Sequence, residues 1–542
     1  MSRVVPDCGV THGVGTAALL IAVITVGARL AGFGRTVVFS QTVGDTCLGT
    51  AYVTANQVPA VLFEIVIGGA LTAVVVPVLA SAVRNGDHAQ VRHTASALMT
   101  WVLLLSLPLS LLLGLVSYPT MMLMLGPVRG CGHGELLTLA ARMLVVFSPQ
   151  IVFYGLAAVL YGILQSHRRF LSPALAPLVS SLVVIAFYLA FVPLGAEHRQ
   201  DLGELPLTAE LVLSLGTTVG VAALFVTALG PATRLSLRLR PRLFFPAGVG
   251  ERVRSLAAAA LLPLVAMQLC LLFSVVLANW GGGAGASVLY TYAWALFTLP
   301  YGVIAVPIAT SAFTALAVTH TEQDRVGFAS LVSGSARACV VATGIVGTAL
   351  ASAAGPVARV FAEQDPGALE WALLAYAPGV IGFGLIALLS RVLYASSHEV
   401  RAALAQTVGW LVVMGCAAVL VWALPSGWTI TALGVSSTVG LSLAAVLLCV
   451  GVVRAHGAAA LAGVGRSVAA SALAGGVGWA VGRAVASTLQ VDGVVAAVGS
   501  AAVAGSAGAV VFTATVALVD RSAMRAVLAG AGTVRERRKE KR

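Results

Sequence analysis

Apolar runs of bilayer length recur from one end of this chain to the other, and they leave few folds open. A helix needs about 20 mostly apolar residues to cross a bilayer. Runs of that kind lie near 14–40, 50–82, 94–117, 136–163, 172–195, 208–229, 252–279, 287–318, 329–352, 368–395, 402–423, 430–453, 464–487 and 493–519. They predict an all-α polytopic membrane protein with about fourteen transmembrane helices. Composition excludes the soluble alternative. The chain is 59% hydrophobic and 10% charged, against about 25% charged residues in soluble domains, so it lacks the polar side chains to cover a water-facing surface. Several runs exceed the minimum span, which implies tilt or kinks. Pro59, Pro149, Pro300 and Pro378 lie inside runs and are the expected kink sites.

The start of the chain does not read as a cleaved signal peptide. Residues 1–13 hold Arg3, Asp7 and His12, and the first run is too long for a signal core and contains Arg29 and Arg35. It reads as the first span. With a cytoplasmic N-terminus, the inner loops carry Arg84 and Arg92, Arg168 and Arg169, a cluster from Arg234 to Arg254, Arg325, Arg391 and Arg401, then Arg454 and Arg466. The outer loops carry only Arg129, Arg199 and Arg359, with acidic residues around them. Every second loop is basic, as expected when positive charge stays inside. Both termini are therefore expected in the cytoplasm, with the protein multi-pass in its membrane. The net charge of +12 fits this pattern and a basic tail anchored at anionic lipid, so no nucleic-acid partner is expected.

An internal repeat organises the runs. Pro59 and Pro300 precede long apolar stretches in spans 2 and 8, and Arg84 and Arg325 follow at equal distance. Pro149 leads Gly155 and Leu156 in span 4, and Pro378 leads Gly384 and Leu385 in span 10. The pattern predicts two parallel six-helix lobes, residues 1–229 and 252–453, joined by a basic cytoplasmic linker at 230–251. Two helices over 454–519 and a basic tail over 520–542 complete the division. Repeats of this kind mark alternating-access transporters.

Motifs for covalent chemistry are missing. No phosphate-binding loop of the Walker type, G-x-S-x-G or H-E-x-x-H occurs, and the seven cysteines form no C-x-x-C. No enzyme activity, cofactor or metal is expected. Cys270, Cys339, Cys416 and Cys449 lie in spans and read as packing residues. Cys47 and Cys131 both fall in predicted outer loops, where a disulfide is allowed; a bridge between them and two free thiols both remain open.

Three stretches carry a family resemblance. Ala28-Arg29-Leu30-Ala31-Gly32-Phe33-Gly34-Arg35 runs on through Ala55-Asn56-Gln57-Val58-Pro59, Gly68-Gly69-Ala70-Leu71 and Val76-Pro77-Val78-Leu79. Gly162-Ile163-Leu164-Gln165 is followed by Arg169-Phe170 and Pro173-Ala174-Leu175-Ala176-Pro177. Tyr292-Ala293-Trp294-Ala295-Leu296-Phe297 leads into Leu299-Pro300-Tyr301-Gly302-Val303-Ile304-Ala305-Val306. These resemble the MurJ/MviN family of the MOP exporter superfamily, in its actinobacterial branch. The resemblance implies a MATE-like pair of lobes around a cationic cavity, and a flippase for lipid II, the polyprenyl-diphosphate-linked peptidoglycan precursor. It also implies that spans 13 and 14 form a groove for the lipid tail. Cell-wall synthesis proteins are the partners it suggests. Where the family usually carries charges, this chain has Thr36, Thr50 and Ala295, so the implied cavity is less charged.

A diphosphate crossing a bilayer needs cationic donors inside it, and arginine's planar fork suits phosphate oxygens. Arg29 and Arg35 are the candidates, because an arginine within a span marks a pathway or a partner. Six residues apart, they point about 120° from each other on an ideal helix, unless Gly32 and Gly34 loosen it. Glu64 reads either as their counter-ion or as a coupling-ion site. Asn56, Gln57, Gln150 and Gln268 read as substrate contacts or as interhelical hydrogen bonds. Tyr290, Tyr292 and Trp294 read as cavity lining or as interfacial belt. Two other functions compete: export of another polyprenyl-linked glycan or a small cation, and a non-transporting scaffold for cell-wall synthesis.

Overall fold

The computed structural model describes residues 10–68, 79, 83, 85–235, 240–244, 249–489 and 493–525. The described residues are overwhelmingly helical and contain no strand. In chain order the helices are α1 (Val10–Thr42), α2 (Cys47–Phe63), α3 (His88–Leu115), α4 (Ser117–Leu125), α5 (His133–Phe147), α6 (Gln150–Ser166), α7 (Leu171–Gly195), α8 (Leu207–Thr233) and α9 (Val249–Gly282). There follow α10 (Ala286–Pro300), α11 (Val306–Thr321), α12 (Arg325–Phe361), α13 (Pro366–Tyr376), α14 (Gly379–Ala395), α15 (Glu399–Ala423), α16 (Thr429–His456), α17 (Val464–Thr488) and α18 (Val494–Val519). Single π-helical turns, Glu64–Gly68 and Tyr301–Ala305, follow α2 and α10.

Among the described residues, 12 helical stretches are long and apolar enough to cross a membrane, and the bent pair α13–α14 makes a thirteenth. Each falls on one of the expected runs. The remaining run, 50–82, contains α2 and its π turn and then enters residues 69–78, outside the described residues, as does Arg84. The chain is a multi-pass membrane protein, and its surface agrees: Leu111, Leu115, Trp422 and Leu518 stand far out of the protein, as lipid contact allows.

The chain divides into two compact units. The first comprises Met1–Val43, Thr54–Met122 and Gly134–Leu261, the second Gly44–Val53, Leu123–His133 and Leu262–Arg542. In the first unit α1 packs along α7, and α7 along α8. In the second, α17 and α18 pack on α12 and on each other. A side chain at Gly508 would collide with Ser352 and with the Gly478 carbonyl, so small residues let these three helices approach closely.

Two short segments from the N-terminal third, 44–53 and 123–133, are built into the second unit. Cys47 and Cys131 join them by a disulfide. Asp45 is buried, and its carboxylate accepts the N–H groups of Glu363 at 3.1 Å, Gln364 at 3.1 Å and Asp365 at 3.5 Å. Thr50 is also buried; its hydroxyl accepts from the Gly285 N–H at 2.8 Å and donates to the Thr46 carbonyl at 2.9 Å. Thr50 thus serves as a structural hydroxyl.

The repeat is present, in a different register from the one the prolines suggest. The π turns at Glu64–Gly68 and Tyr301–Ala305 lie 237 residues apart. So do Asp87 and Asp324, whose carboxylates cap the following helices by accepting from Gln90 and Gly327. The pairing of Pro59 with Pro300 is out by about one helical turn, and that of Arg84 with Arg325 involves a residue outside those described. What recurs is the extra-residue turn, a common device at functional sites. Pro59 sits inside α2 ahead of its π turn, whereas Pro300 closes α10 directly before its own.

The second pairing holds at 229 residues. Pro149 and Pro378 each precede a 17-residue helix, α6 and α14, at a break from the helix before. The break at Pro378 bends the chain by 43°. A threonine hydroxyl donates to a carbonyl beside each break: Thr218 of α8 to Val146 at 2.8 Å, and Thr438 of α16 to Ala375 at 2.6 Å. Proline lacks the N–H that would satisfy a carbonyl one turn back, and inside a membrane neighbouring hydroxyls make up such losses. After α6 and α14, Arg168 and Ser397 adopt matching left-handed conformations.

Candidate functional site

The first unit gathers the predicted charged residues around the π turn. Arg35 on α1 is half-buried, and so is Glu64, the first residue of the turn. Both act electrostatically on Tyr154 of α6, whose ring stacks on Phe63 with centroids 5.2 Å apart. Sequence reasoning missed Tyr154. Its only signal was a place on the helix after Pro149. Among the described residues, no hydrogen bond or ion pair joins Arg35 to Glu64. The counter-ion reading is therefore not realised at contact distance.

Arg29 lies two turns earlier and is exposed. Helix α1 runs unbroken through Gly32 and Gly34, so Arg29 and Arg35 keep the divergence of an ideal helix. No described side chain meets either arginine in a hydrogen bond or ion pair. Thr36 turns back on its own helix, donating to the Gly32 carbonyl at 3.3 Å.

The neutral polar candidates separate. Gln150 is fully buried at the start of α6; its amide donates to Asn56 at 3.4 Å and Thr218 at 3.3 Å. This network ties α2, α6 and α8 together at the Pro149 break. Gln150 Oε1 is buried without a partner. Gln57 is half-buried on α2. Gln268 is buried on α9 and belongs to the second unit.

In the second unit the equivalent π turn carries Tyr301, stacked on Phe383 with centroids 3.9 Å apart. Phe383 stands 229 residues after Tyr154, at the same place in the repeat. Trp294 packs against Phe297, Tyr376, Phe383 and Trp410. Tyr290 and Tyr292 are buried. These aromatics form a core cluster, not an interfacial belt. Burial of the two phenols, with the half-buried indole packed among rings of the same unit, is the reason, and the sequence position near a helix end hid it.

Three other charge pairs join helices among the described residues. Arg142 of α5 holds Glu210 of α8 through two bonds, at 3.1 and 2.7 Å. Arg483 of α17 meets Glu370 of α13 at 2.7 Å. Arg337 of α12 reaches Asp520, just past α18, at 3.3 Å. Asp520 also accepts from Ser467 at 2.7 Å, Ser522 at 2.6 Å and the Ala523 N–H at 3.1 Å. Burial alone would raise this carboxyl, but the hydrogen bonds from Ser522, Ser467 and Ala523, with the Arg337 charge, outweigh it and hold the pKa at about 2. None of these pairs was foreseen, because each joins residues at least 68 positions apart.

The second unit also holds a largely apolar cavity of about 870 Å³, bounded by α12, α14, α16 and α17. Thr348, Leu385, Cys449, Val468 and Trp479 are among its walls. No group of three or more metal-ligating side chains occurs among the described residues.

The family described as Lipid II flippase MurJ matches residues 39–497. The chain belongs to the MurJ family. That family is one of transporters, and its match runs from the last turn of α1 through α17. The probable lipid II flippase MurJ of Buchnera aphidicola subsp. Acyrthosiphon pisum is 22% identical over 385 residues, 69% of this chain and 72% of that protein. Among solved structures, a lipid II flippase MurJ in an inward closed conformation aligns with a TM-score of 0.68 at 17% identity, over 93% of this chain and all of that one. An inward-facing MATE family multidrug transporter of the MOP superfamily aligns at 0.57 and 17% identity, over 80% of this chain and 94% of that one. The MurJ fold, with its likeness to the MATE fold, therefore extends to this chain.

Proposed function

We propose that this protein is a lipid II flippase, moving the polyprenyl-diphosphate-linked peptidoglycan precursor from the inner to the outer leaflet of the bacterial inner membrane by alternating access. The observation that carries the reading is Arg35, with Arg29, on α1 of a MurJ-family chain: cationic forks in a span with no protein partner among the described residues. A buried or half-buried charge is costly in a bilayer unless something pairs with it. A diphosphate is the anion that the family's substrate supplies, and arginine binds it bidentately.

In this reading Arg35 and Arg29 hold the diphosphate. Glu64 and Tyr154 shape the field around Arg35, and Asn56 and Gln57 of the same unit serve the headgroup. Gln150 serves chiefly as the polar tie at the Pro149 break. The breaks at Pro149 and Pro378, and the π turns after Pro59 and before α11, are where the spans bend as access alternates. Gly32 and Gly34 keep α1 slim beside the headgroup. The cavity bounded by α17 takes part of the lipid tail. Both termini lie in the cytoplasm; for the N-terminus the Cys47–Cys131 disulfide supports this reading, since disulfides form on the oxidising side of a membrane.

Complementation of a strain depleted of its lipid II flippase tests the reading. The wild-type chain restores growth, and Arg35→Ala at equal membrane abundance does not. Failure of the wild-type chain despite good expression would contradict the proposed substrate.

A further inference from the structure

The segment between α8 and α9 contains an extended strap, residues 240–244, laid along α3 within the first unit. Side chains of α3 pin its backbone. The Arg240 N–H donates to Ser96 Oγ at 3.2 Å and the Arg242 N–H to Thr100 Oγ1 at 3.0 Å. Trp101 Nε1 donates to the Leu243 carbonyl at 2.8 Å. His93 Nε2 lies 3.0 Å from the Phe244 carbonyl, and its Nδ1 lies 3.4 Å from Arg242 Nη1. A carbonyl only accepts and a guanidinium only donates, so Nε2 carries the proton and Nδ1 is the acceptor. The positive charge of the patch comes from Arg92, Arg240 and Arg242, all exposed.

Farther along the same face of α3 the chemistry changes. Thr100, Leu103, Leu104, Leu107 and Pro108, with Pro241 of the strap, line an open cleft of about 360 Å³. The spacing of 100, 103, 104 and 107 keeps these residues on one side of the helix. From Arg92 to Pro108 the helix advances about 24 Å at 1.5 Å per residue. Beyond the cleft, Leu111 and Leu115 are 68% and 83% exposed, the surface of a helix that faces hydrocarbon. Phe244 at the end of the strap is 82% exposed. A cationic end and an apolar trough on one lipid-facing helix match an amphiphile with an anionic head.

We infer that this is a binding site for an anionic glycerophospholipid of the surrounding bilayer. Its phosphate sits on Arg240 and Arg242 and one acyl chain lies in the trough over Leu103, Leu104 and Leu107. The bound lipid fastens the strap to α3. The site is separate from Arg29 and Arg35 and does not depend on what the protein transports.

The test is native mass spectrometry of the full-length, delipidated protein titrated with phosphatidylglycerol or phosphatidylcholine. The expected result is one phosphatidylglycerol retained in preference to phosphatidylcholine. An arginine near anionic lipid is worth about a five-fold change in affinity, so Arg240→Gln with Arg242→Gln weakens retention roughly 25-fold. Leu107→Trp, which fills the trough and leaves the charges alone, weakens it too. Independently of any surface charge change, chain-brominated phosphatidylglycerol quenches a fluorescence component of the wild-type protein that Trp101→Phe lacks. Equal binding of both lipids, or wild-type binding by the double variant, overturns the proposal. So does displacement by equimolar glycerol 3-phosphate, which would reveal a phosphate site with no role for the chain.

Discussion

The clamp at Arg337 and Asp520 and the cluster at Arg35 and Glu64 both place charges among apolar helices, and they resolve the cost in opposite ways. At the clamp every charge is matched. Asp520 is 1% exposed and takes hydrogen bonds from Ser467, Ser522 and Ala523 as well as Arg337. At the cluster neither charge has a partner at contact distance among the described residues. A matched charge explains itself by the structure it holds together. An unmatched one calls for something that comes and goes, and the proposed flippase reading gives that part to the substrate. The same contrast separates the two repeats, which share a backbone design and differ in side chains. The first π turn carries Glu64 near Arg35, the second carries Tyr301 on Phe383.

This contrast predicts that removing a matched charge costs stability. Arg337→Ala leaves a buried carboxylate without its cation and costs about 3–5 kcal/mol, read as a lower melting temperature and lower membrane abundance. The same pair gives a pH test. Asp520 is held at about 2, below its ordinary 3.8. A depressed carboxyl stabilises most above its unfolded value and loses that contribution as pH falls through its folded value. The clamp should therefore be fully effective above about pH 4 and weaken from there toward pH 2. In Asp520→Asn that acid-dependent component should vanish. A melting temperature for Arg337→Ala equal to wild type would break the comparison at its structural side.

Smaller effects sharpen it. Thr438→Val leaves the Ala375 carbonyl beside the Pro378 break without its hydroxyl, at a cost of about 1–3 kcal/mol. Thr218→Val should do the same in the other repeat, and similar losses in thermal stability would show that the repeated break is built alike. Arg483 is half exposed, so Arg483→Gln should change stability by no more than about 1 kcal/mol. A larger loss would mean that its pair with Glu370 is as enclosed as the clamp.

The spans were legible because each needs only its own apolar residues. Thirteen of the expected runs coincide with helices or a bent helix pair that can cross a membrane, and no knowledge of packing was required. The repeat was legible in outline and misread in register. Pro59 and Pro300 drew attention, yet the element that recurs is the π turn, which depends on hydrogen-bond geometry and leaves no fixed residue behind. The Pro149 and Pro378 pair was read correctly because the prolines there make the break themselves. A disulfide between Cys47 and Cys131 was one of two open readings; loop placement allows a bridge but does not bring the sulfurs together. The pairs Arg142–Glu210, Arg337–Asp520 and Arg483–Glu370 were out of reach, since each partner lies on a distant helix. Tyr154 was hidden for the same reason: its role comes from what α1 and the π turn bring beside it.

The central claim is that unmatched arginine on α1 serves a diphosphate substrate and not the fold. The direct measurement is lipid II translocation in proteoliposomes, with thermal stability recorded on the same preparations of wild type and Arg35→Ala. Charge-assisted hydrogen bonds contribute about 1.5–3 kcal/mol, so translocation should fall roughly 10- to 100-fold while the melting temperature stays where it is. Wild-type translocation by Arg35→Ala, or a loss that merely follows a fall in melting temperature, would contradict the account.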